Sequence, residues 1–321
     1  MATKNPFSLY DCLGYFIPGA LSVYIAIFLI NVENGNFVNA FRSVEFGSVD
    51  ATIAFVIIAY ILGHAVNYAS SITVEKYSNW MFGYPSTFLL QEKQVPYYRR
   101  VTDEQLLDWI ESNPHSQLAW FKKMMFQSKW KKLSLVAHFR LRSSCWRFAL
   151  LLFIIPIHLF DFCIGKGCGL RLYYRNPETP VMSKLIKGKI DNLLASLNIN
   201  NENGLDFRRI LHHYYYEKFS SHQSKFDNYV ALYGFARSLS LVFSLTTTLF
   251  FALMIFSSKI GISFASIVFG FFLWILSDIY FMAYMKFSRR YTLEGFMCLI
   301  SDKDMERVAV AEARDEIVNL N

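Results

Sequence analysis

Apolar residues gather in four long blocks along this chain, with charged and aromatic-rich sequence between them. The windows 12–32, 51–74 and 238–258 contain no Asp, Glu, Lys or Arg, and 260–285 contains only Asp278. A helix needs roughly 20 mostly apolar residues to cross a hydrocarbon core about 30 Å thick, because backbone groups left unpaired in lipid are costly. Each window meets that length, so the pattern predicts four membrane-spanning helices. A fifth apolar run, 148–160, is shorter and holds Pro156 and His158. Its length suits a re-entrant, interfacial or buried segment better than a crossing.

Cation placement predicts which way the spans run. With four crossings, all of the 32 lysines and arginines except Arg42 and Lys259 fall on one side. If 148–160 also crossed, Lys166, Arg171, Arg175, Lys184, Lys187, Lys189, Arg208 and Arg209 would lie outside, against the positive-inside tendency. The predicted fold class is therefore an all-α integral membrane protein, with two transmembrane helical hairpins and a mainly helical cytoplasmic insert. Its parts are a first hairpin at 12–74, a basic insert at 75–237, a second hairpin at 238–285 and a cytoplasmic tail at 286–321. Both termini are expected in the cytoplasm.

Helical periodicity continues through the insert. Thr102-Asp-Glu-Gln105 reads as a capping box ahead of Leu106, Leu107, Trp109 and Ile110, stopping near Asn113-Pro114. Between 116 and 133, Leu118, Trp120, Phe121 and Met125 can face inward while Lys122, Lys123, Lys129, Lys131 and Lys132 project elsewhere. Met182, Leu185, Ile186, Ile190, Leu193, Leu194 and Leu197 form a further stripe, with Lys184, Lys187 and Lys189 set off from it. Phe207, Ile210, Leu211 and Tyr214 form another. The insert is expected to pack beneath its own spans.

Composition sharpens the picture. Hydrophobic residues make up 54% of the chain and charged residues 18%, too apolar for an ordinary soluble domain, while the net charge is +7. Such a balance attracts anionic lipid or nucleic acid. The five cysteines form no CxxC pair and no disulfide framework, which points to a reducing compartment. Lys4 precedes an apolar block without a clear small-residue cleavage site, so the first block is expected to be an uncleaved anchor.

The candidate chemistry is of three kinds. Basic residues stand beside aromatics in Tyr97-Tyr98-Arg99-Arg100, Trp130-Lys131-Lys132, Trp146-Arg147 and Tyr173-Tyr174-Arg175. With Arg171, Arg208 and Arg209, they suit phosphate contacts and base stacking on a nucleotide or oligonucleotide. They equally suit a face apposed to lipid headgroups. Inside the membrane, Tyr60, His64 and Asn67 fall on one helical face, and Asp278 is an acid at depth. Ser240, Ser244, Thr247 and Thr248 form a hydroxyl face beside Phe243, Phe250 and Phe251, fit either to line a water path or to bond backbone and pack helices. Finally, Arg208 and His213 have a spacing similar to that of HEPN ribonucleases, in which histidine serves as acid or base and arginine stabilises the phosphoryl transition state.

No HExxH, GxSxG, Walker A or Gly-rich phosphate loop occurs. Cys163 and Cys168 have no conventional metal partners nearby in sequence. No cofactor or metal is expected, and an enzyme is not the leading reading.

Asp11-Cys-Leu-Gly14-Tyr15-Phe-Ile-Pro18-Gly19, Tyr60-Ile-Leu-Gly63-His64 and Gly83-Tyr84-Pro85-Ser86 resemble bacterial membrane proteins found among defence genes. With two hairpins around a basic insert, the chain resembles the channel-type effectors of antiphage defence, such as the membrane component of the Hailong system. The resemblance implies a homo-oligomeric ion channel of the bacterial inner membrane whose opening depolarises an infected cell. It further implies control by a nucleotide or oligonucleotide through the cytoplasmic domain, with a nucleotidyltransferase as partner. Two other functions stand beside it: a non-conducting scaffold or sensor that recruits a partner, and a membrane-tethered ribonuclease.

Overall fold

The computed structural model describes residues 11–33, 48–90, 153–165, 168, 178–197, 207–256 and 263–302. All regular structure among them is helical, and four helices are long and apolar enough to cross a membrane. A π-helical turn, Cys12–Phe16, runs into α1 (Ile17–Glu33), followed by α2 (Val49–Ile72), α3 (Val74–Phe82) and α4 (Pro85–Leu89). The 148–160 run contributes α5 (Ile155–Phe160), continued by a π-helical turn at Asp161–Gly165. Then come α6 (Pro180–Ser196), α7 (Phe207–Lys218), α8 (Gln223–Phe256) and α9 (Phe264–Ser301). The predicted helices near 102–113 and 116–133 lie outside the described residues, as does 303–321.

Local chemistry sets the helix ends. The Ser48 hydroxyl accepts from the Ala51 N–H at the start of α2, and the Ser263 hydroxyl accepts from the Ser266 N–H at the start of α9. Each satisfies a donor that the first helical turn leaves orphaned. Thr179 caps α6 ahead of Pro180, whose missing N–H costs nothing at a first helical position. Gly83 ends α3 at φ 80°, a conformation glycine adopts without strain, and Pro85 opens α4. The Gly83-Tyr84-Pro85-Ser86 motif is thus a helix stop followed by a helix start.

The other two motifs meet where α1 crosses α2. A Cβ on Gly19 would stand 1.7 Å from the Ala59 carbonyl oxygen, and one on Gly63 would stand 1.8 Å from that of Tyr15. The two backbones touch through their glycines, which is how membrane helices gain packing without a hydrophobic drive between them. The His64 ring stacks on Tyr15 with centroids 3.8 Å apart and meets the edge of Tyr60 at 4.7 Å.

The helices α8 and α9 form the centre. In the apolar window of α8, 56% is buried, against 11% for α2. Three apolar clusters follow the α8–α9 pair. Phe28 of α1 joins Leu239, Phe243, Phe250, Met254 and Leu273. Next, Ile154 and Ile157 of the short segment pack with Tyr77, Phe82, Leu241, Phe281 and Met285. Beyond the apolar windows, α4, α6 and α7 bury Leu89, Leu90, Ile186, Leu194, Leu211 and Tyr215 against Phe296 and Leu299 of α9. In that last cluster water is the alternative, so each such aliphatic side chain contributes about 1.5–3 kcal/mol.

Several expectations change in detail. Helix α8 begins well before the window 238–258 and α9 ends well after the window 260–285, because no proline follows Pro180 to interrupt them. At 1.5 Å per residue, α9 is about 57 Å long, far more than a hydrocarbon core requires. On α6, Ile186, Ile190, Leu193 and Leu194 are buried, but Leu185 and Leu197 are exposed. Lys189, expected off the stripe, is buried on it, with Nζ 3.4 Å from the Asp302 carbonyl oxygen. The reason is local, since the end of α9 offers unsatisfied carbonyls and negative potential to a cation.

Candidate functional site

Three polar arrangements stand among these helices. The first is built on Arg237 of α8, which is 8% exposed. Its Nη2 donates to Asn67 Oδ1 at 2.8 Å, its Nε donates to Ser70 Oγ at 3.1 Å, and its Nη1 pairs with the Glu75 carboxylate. Ser70 and Ser238 hydroxyls approach each other at 3.4 Å. The predicted Tyr60, His64 and Asn67 face therefore divides, with Tyr60 and His64 against Tyr15 and Asn67 toward Arg237. Arg237 was missed as a site residue because it lies one position ahead of the charge-free window 238–258.

The second arrangement is a pair of acids. Asp278 of α9 is 3% exposed and Asp161, directly after α5, is 4% exposed. Both line a cleft of about 10 Å³, close to the space of one water, together with Ile157, Phe160, Gly165, Phe281 and Met282. Oδ2 of Asp278 has no hydrogen-bond partner. No lysine, arginine or histidine lines the cleft among the described residues. Gly165 leaves room for the Asp161 carboxylate, since a Cβ there would fall 2.6 Å from Oδ1.

The short segment that brings in Asp161 is tied on three sides. The Ser244 hydroxyl donates to the Phe153 carbonyl at 3.0 Å, and Trp274 Nε1 donates to the Pro156 carbonyl at 2.8 Å. The Tyr77 hydroxyl and His158 Nδ1 are 3.1 Å apart.

The hydroxyl face of α8 is fully engaged. Besides Ser244, Ser240 donates to the Ser277 carbonyl at 3.1 Å, Thr247 to Phe243 at 2.7 Å and Thr248 to Ser244 at 3.0 Å. Ser240 and Ser244 tie α8 to α9 and to the short segment, whereas Thr247 and Thr248 bond the backbone of α8 itself.

The third arrangement is a cleft of about 240 Å³ bounded by α3, α4, α7, α8 and α9. Its walls include Tyr84, His212, Tyr215, Tyr233, Tyr284 and Tyr291, with Ser86, Ser288, Thr292 and Asn79 as hydrogen-bonding groups and Glu75 as a charged one. His212 also stacks on Tyr216 at 4.8 Å. Burial, and then the neighbouring His213, lower the pKa of His212 below its usual value of 6.5, so the ring is neutral at pH 7. Beside this cleft, Asp302 gathers Tyr214 and Lys218 of α7. Burial opposes the charge on Lys218, but bonds to Asp302 and Tyr214 outweigh it and raise its pKa.

Of the predicted ligand contacts, Arg99, Arg100, Lys131, Lys132, Arg171 and Arg175 lie outside the described residues. Arg208 and Arg209 belong to α7, whose Leu211, His212 and Tyr215 reach the aromatic cleft. His213, the other half of the ribonuclease-like spacing, is an exposed residue of the same helix. Comparison with family models, curated proteins and solved structures finds no match to this chain.

Proposed function

We propose that the chain is a subunit of an oligomeric ion channel in a bacterial inner membrane, conducting cations along a path that includes Asp161 and Asp278. The observation that carries this reading is the buried Asp278 carboxylate, which shares a water-sized cleft with Asp161. An ionised carboxylate is very costly to hold in an apolar interior without a partner. Asp278 Oδ2, buried without a hydrogen-bond partner in a water-sized cleft that no lysine, arginine or histidine lines among the described residues, requires a proton or a cation for neutrality. Intramembrane acids of this kind mark ion pathways and proton relays. The peripheral helix α2 is open to assembly, with Ile53, Ile57, Ile58 and Ile61 on an exposed apolar face that lipid or a second copy would cover.

In this reading the two hairpins place the insert and both termini on the cytoplasmic side. Conduction answers to a nucleotide or oligonucleotide, supplied by a partner nucleotidyltransferase and bound through the basic and aromatic residues of the insert. The aromatic cleft supports the ring-binding part, since tyrosine walls stack any base. Arg208 lies on the same helix as Leu211 and His212 of that cleft, one turn before them. The antiphage role rests on the motif resemblance.

Purified protein in liposomes should pass ions, with flux that changes on adding nucleotides or short oligonucleotides. Arg208→Ala and Arg209→Ala should weaken the ligand response while sparing ligand-free flux. A tight bilayer with and without ligand would overturn the channel reading. It would favour the non-conducting scaffold or sensor, to which the fully bonded hydroxyl face of α8 lends weight. RNA cleavage lost in Arg208→Ala and His213→Ala would instead favour a tethered ribonuclease.

A further inference from the structure

Away from the acid pair, the ends of α8 and α9 beyond their apolar windows carry a cluster that conduction does not use. His222 closes the 3-10 turn leading into α8, and it meets Glu294 and Cys298 of α9. Residues four apart on a helix lie one above the other on a single face, so Glu294 and Cys298 present adjacent donors. One ligand atom from each of the three residues lies within 4.8 Å of the others, and His222 Nδ1 stands 3.6 Å from Glu294 Oε1. The cluster grades from the buried Cys298 through Glu294 to the exposed His222, which leaves an entry path.

A second observation comes from α7. The Tyr215 ring lies against Gly295, where an added Cβ would meet it at 2.4 Å, and its hydroxyl is buried without a hydrogen-bond partner. Gly295 directly follows Glu294 on α9, so the Tyr215 ring flanks the cluster. Leaving a buried hydroxyl unpaired costs about 1–3 kcal/mol. A thiolate would accept from it, and a water held on a metal ion would donate to it.

We propose that His222, Glu294 and Cys298 form a site for a zinc-class divalent ion, with water as the fourth ligand, clamping the end of α9 to the start of α8. Imidazole, carboxylate and thiolate together match the tetrahedral preference of zinc. Bonds of about 2.0–2.3 Å to these atoms set them about 3.5 Å apart, so the donors must close by roughly 1 Å. The exposed His222 can supply that movement. Lys225 Nζ is 2.5 Å from Glu294 Oε1 and half exposed, so the ion displaces the ammonium into water. Binding converts the Cys298 thiol to a thiolate and releases its proton to solvent. Because His222 comes from a position far from Glu294 and Cys298 in the chain, no sequence spacing announces the site.

Cobalt(II) titrated into the full chain in detergent provides the test. A near-ultraviolet thiolate-to-cobalt band and tetrahedral visible bands should appear and be abolished by added zinc. Cys298→Ala should remove the thiolate band. His222→Ala and Glu294→Gln should weaken binding by roughly tenfold or more, the scale seen on perturbing even outer-shell partners of a metal. Lys225→Ala should tighten it. Should Cys298→Ala fail to fold, His222→Ala decides, since it alters an exposed side chain. Absence of the thiolate band, or undiminished cobalt affinity in folded His222→Ala, overturns the proposal. A protein that conducts nothing would still give the cobalt spectrum, so this test is separate from the channel reading.

Discussion

Replacing Gly63 by alanine tests how the first two spans are held together. The new methyl carbon would stand 1.8 Å from the Tyr15 carbonyl oxygen and 2.5 Å from its carbonyl carbon. Ordinary contact begins at 3.4 Å, so the backbones of the π-helical turn and α2 must separate by more than an ångström. No rotamer change can relieve this, because both sides of the clash are main chain or directly attached to it. Separation also pulls His64 away from the Tyr15 ring. Overpacking costs typically about 1–3 kcal/mol, and a backbone clash belongs at or above the upper end. Gly188→Ala is the matched control. That glycine is in α6, an added Cβ there would meet nothing within 4 Å, and alanine should stabilise the helix by about 0.8–1.0 kcal/mol. Thermal unfolding of both variants in the same detergent should move the two midpoints in opposite directions. An unchanged midpoint for Gly63→Ala would refute the close crossing of α1 and α2.

Three further outcomes follow from the polar groups. Arg237→Ala strands Asn67, Ser70 and Glu75 and should destabilise the protein by roughly 3 kcal/mol in thermal unfolding. Glu75→Gln should cost less, because that side chain is 37% exposed and solvent screens the pair. Since the His212 pKa is lowered on folding, its contribution to stability is present above about pH 6.5 and is lost as pH falls through the unfolded value toward the folded one. A pH series of unfolding midpoints should show this decline, and His212→Gln should flatten it. Trp274→Phe removes the bond to the Pro156 carbonyl, costing about 1 kcal/mol. Faster amide hydrogen exchange across residues 154–165 should report the loosened segment.

The four long apolar helices were legible because each carries a charge-free window of membrane length, a signal that needs no partner to interpret. Their ends were not, since polar residues such as Lys225 and Glu294 continue a helix as readily as they leave a membrane. Asp278 announced itself as the lone acid in an apolar block. Asp161 did not, because it sits one position past the run 148–160, and only packing of that short segment against α9 brings the two acids to one cleft. Asn67 was legible as part of a polar stripe, whereas its partner Arg237 looked like the edge of the insert. Periodicity found the hydroxyl face of α8 but could not give the direction of each hydroxyl. The motif glycines, quoted for resemblance, have local roles in helix crossing and helix termination.

The most direct measurement of the central claim is cation flux from reconstituted vesicles containing wild type, Asp278→Asn or Asp161→Asn at matched protein density. Asparagine keeps the shape of each side chain and removes its charge. If the cleft is part of the path, wild type conducts and both variants lose most of the flux while remaining folded and membrane-inserted. Wild-type flux in both folded variants would contradict the account.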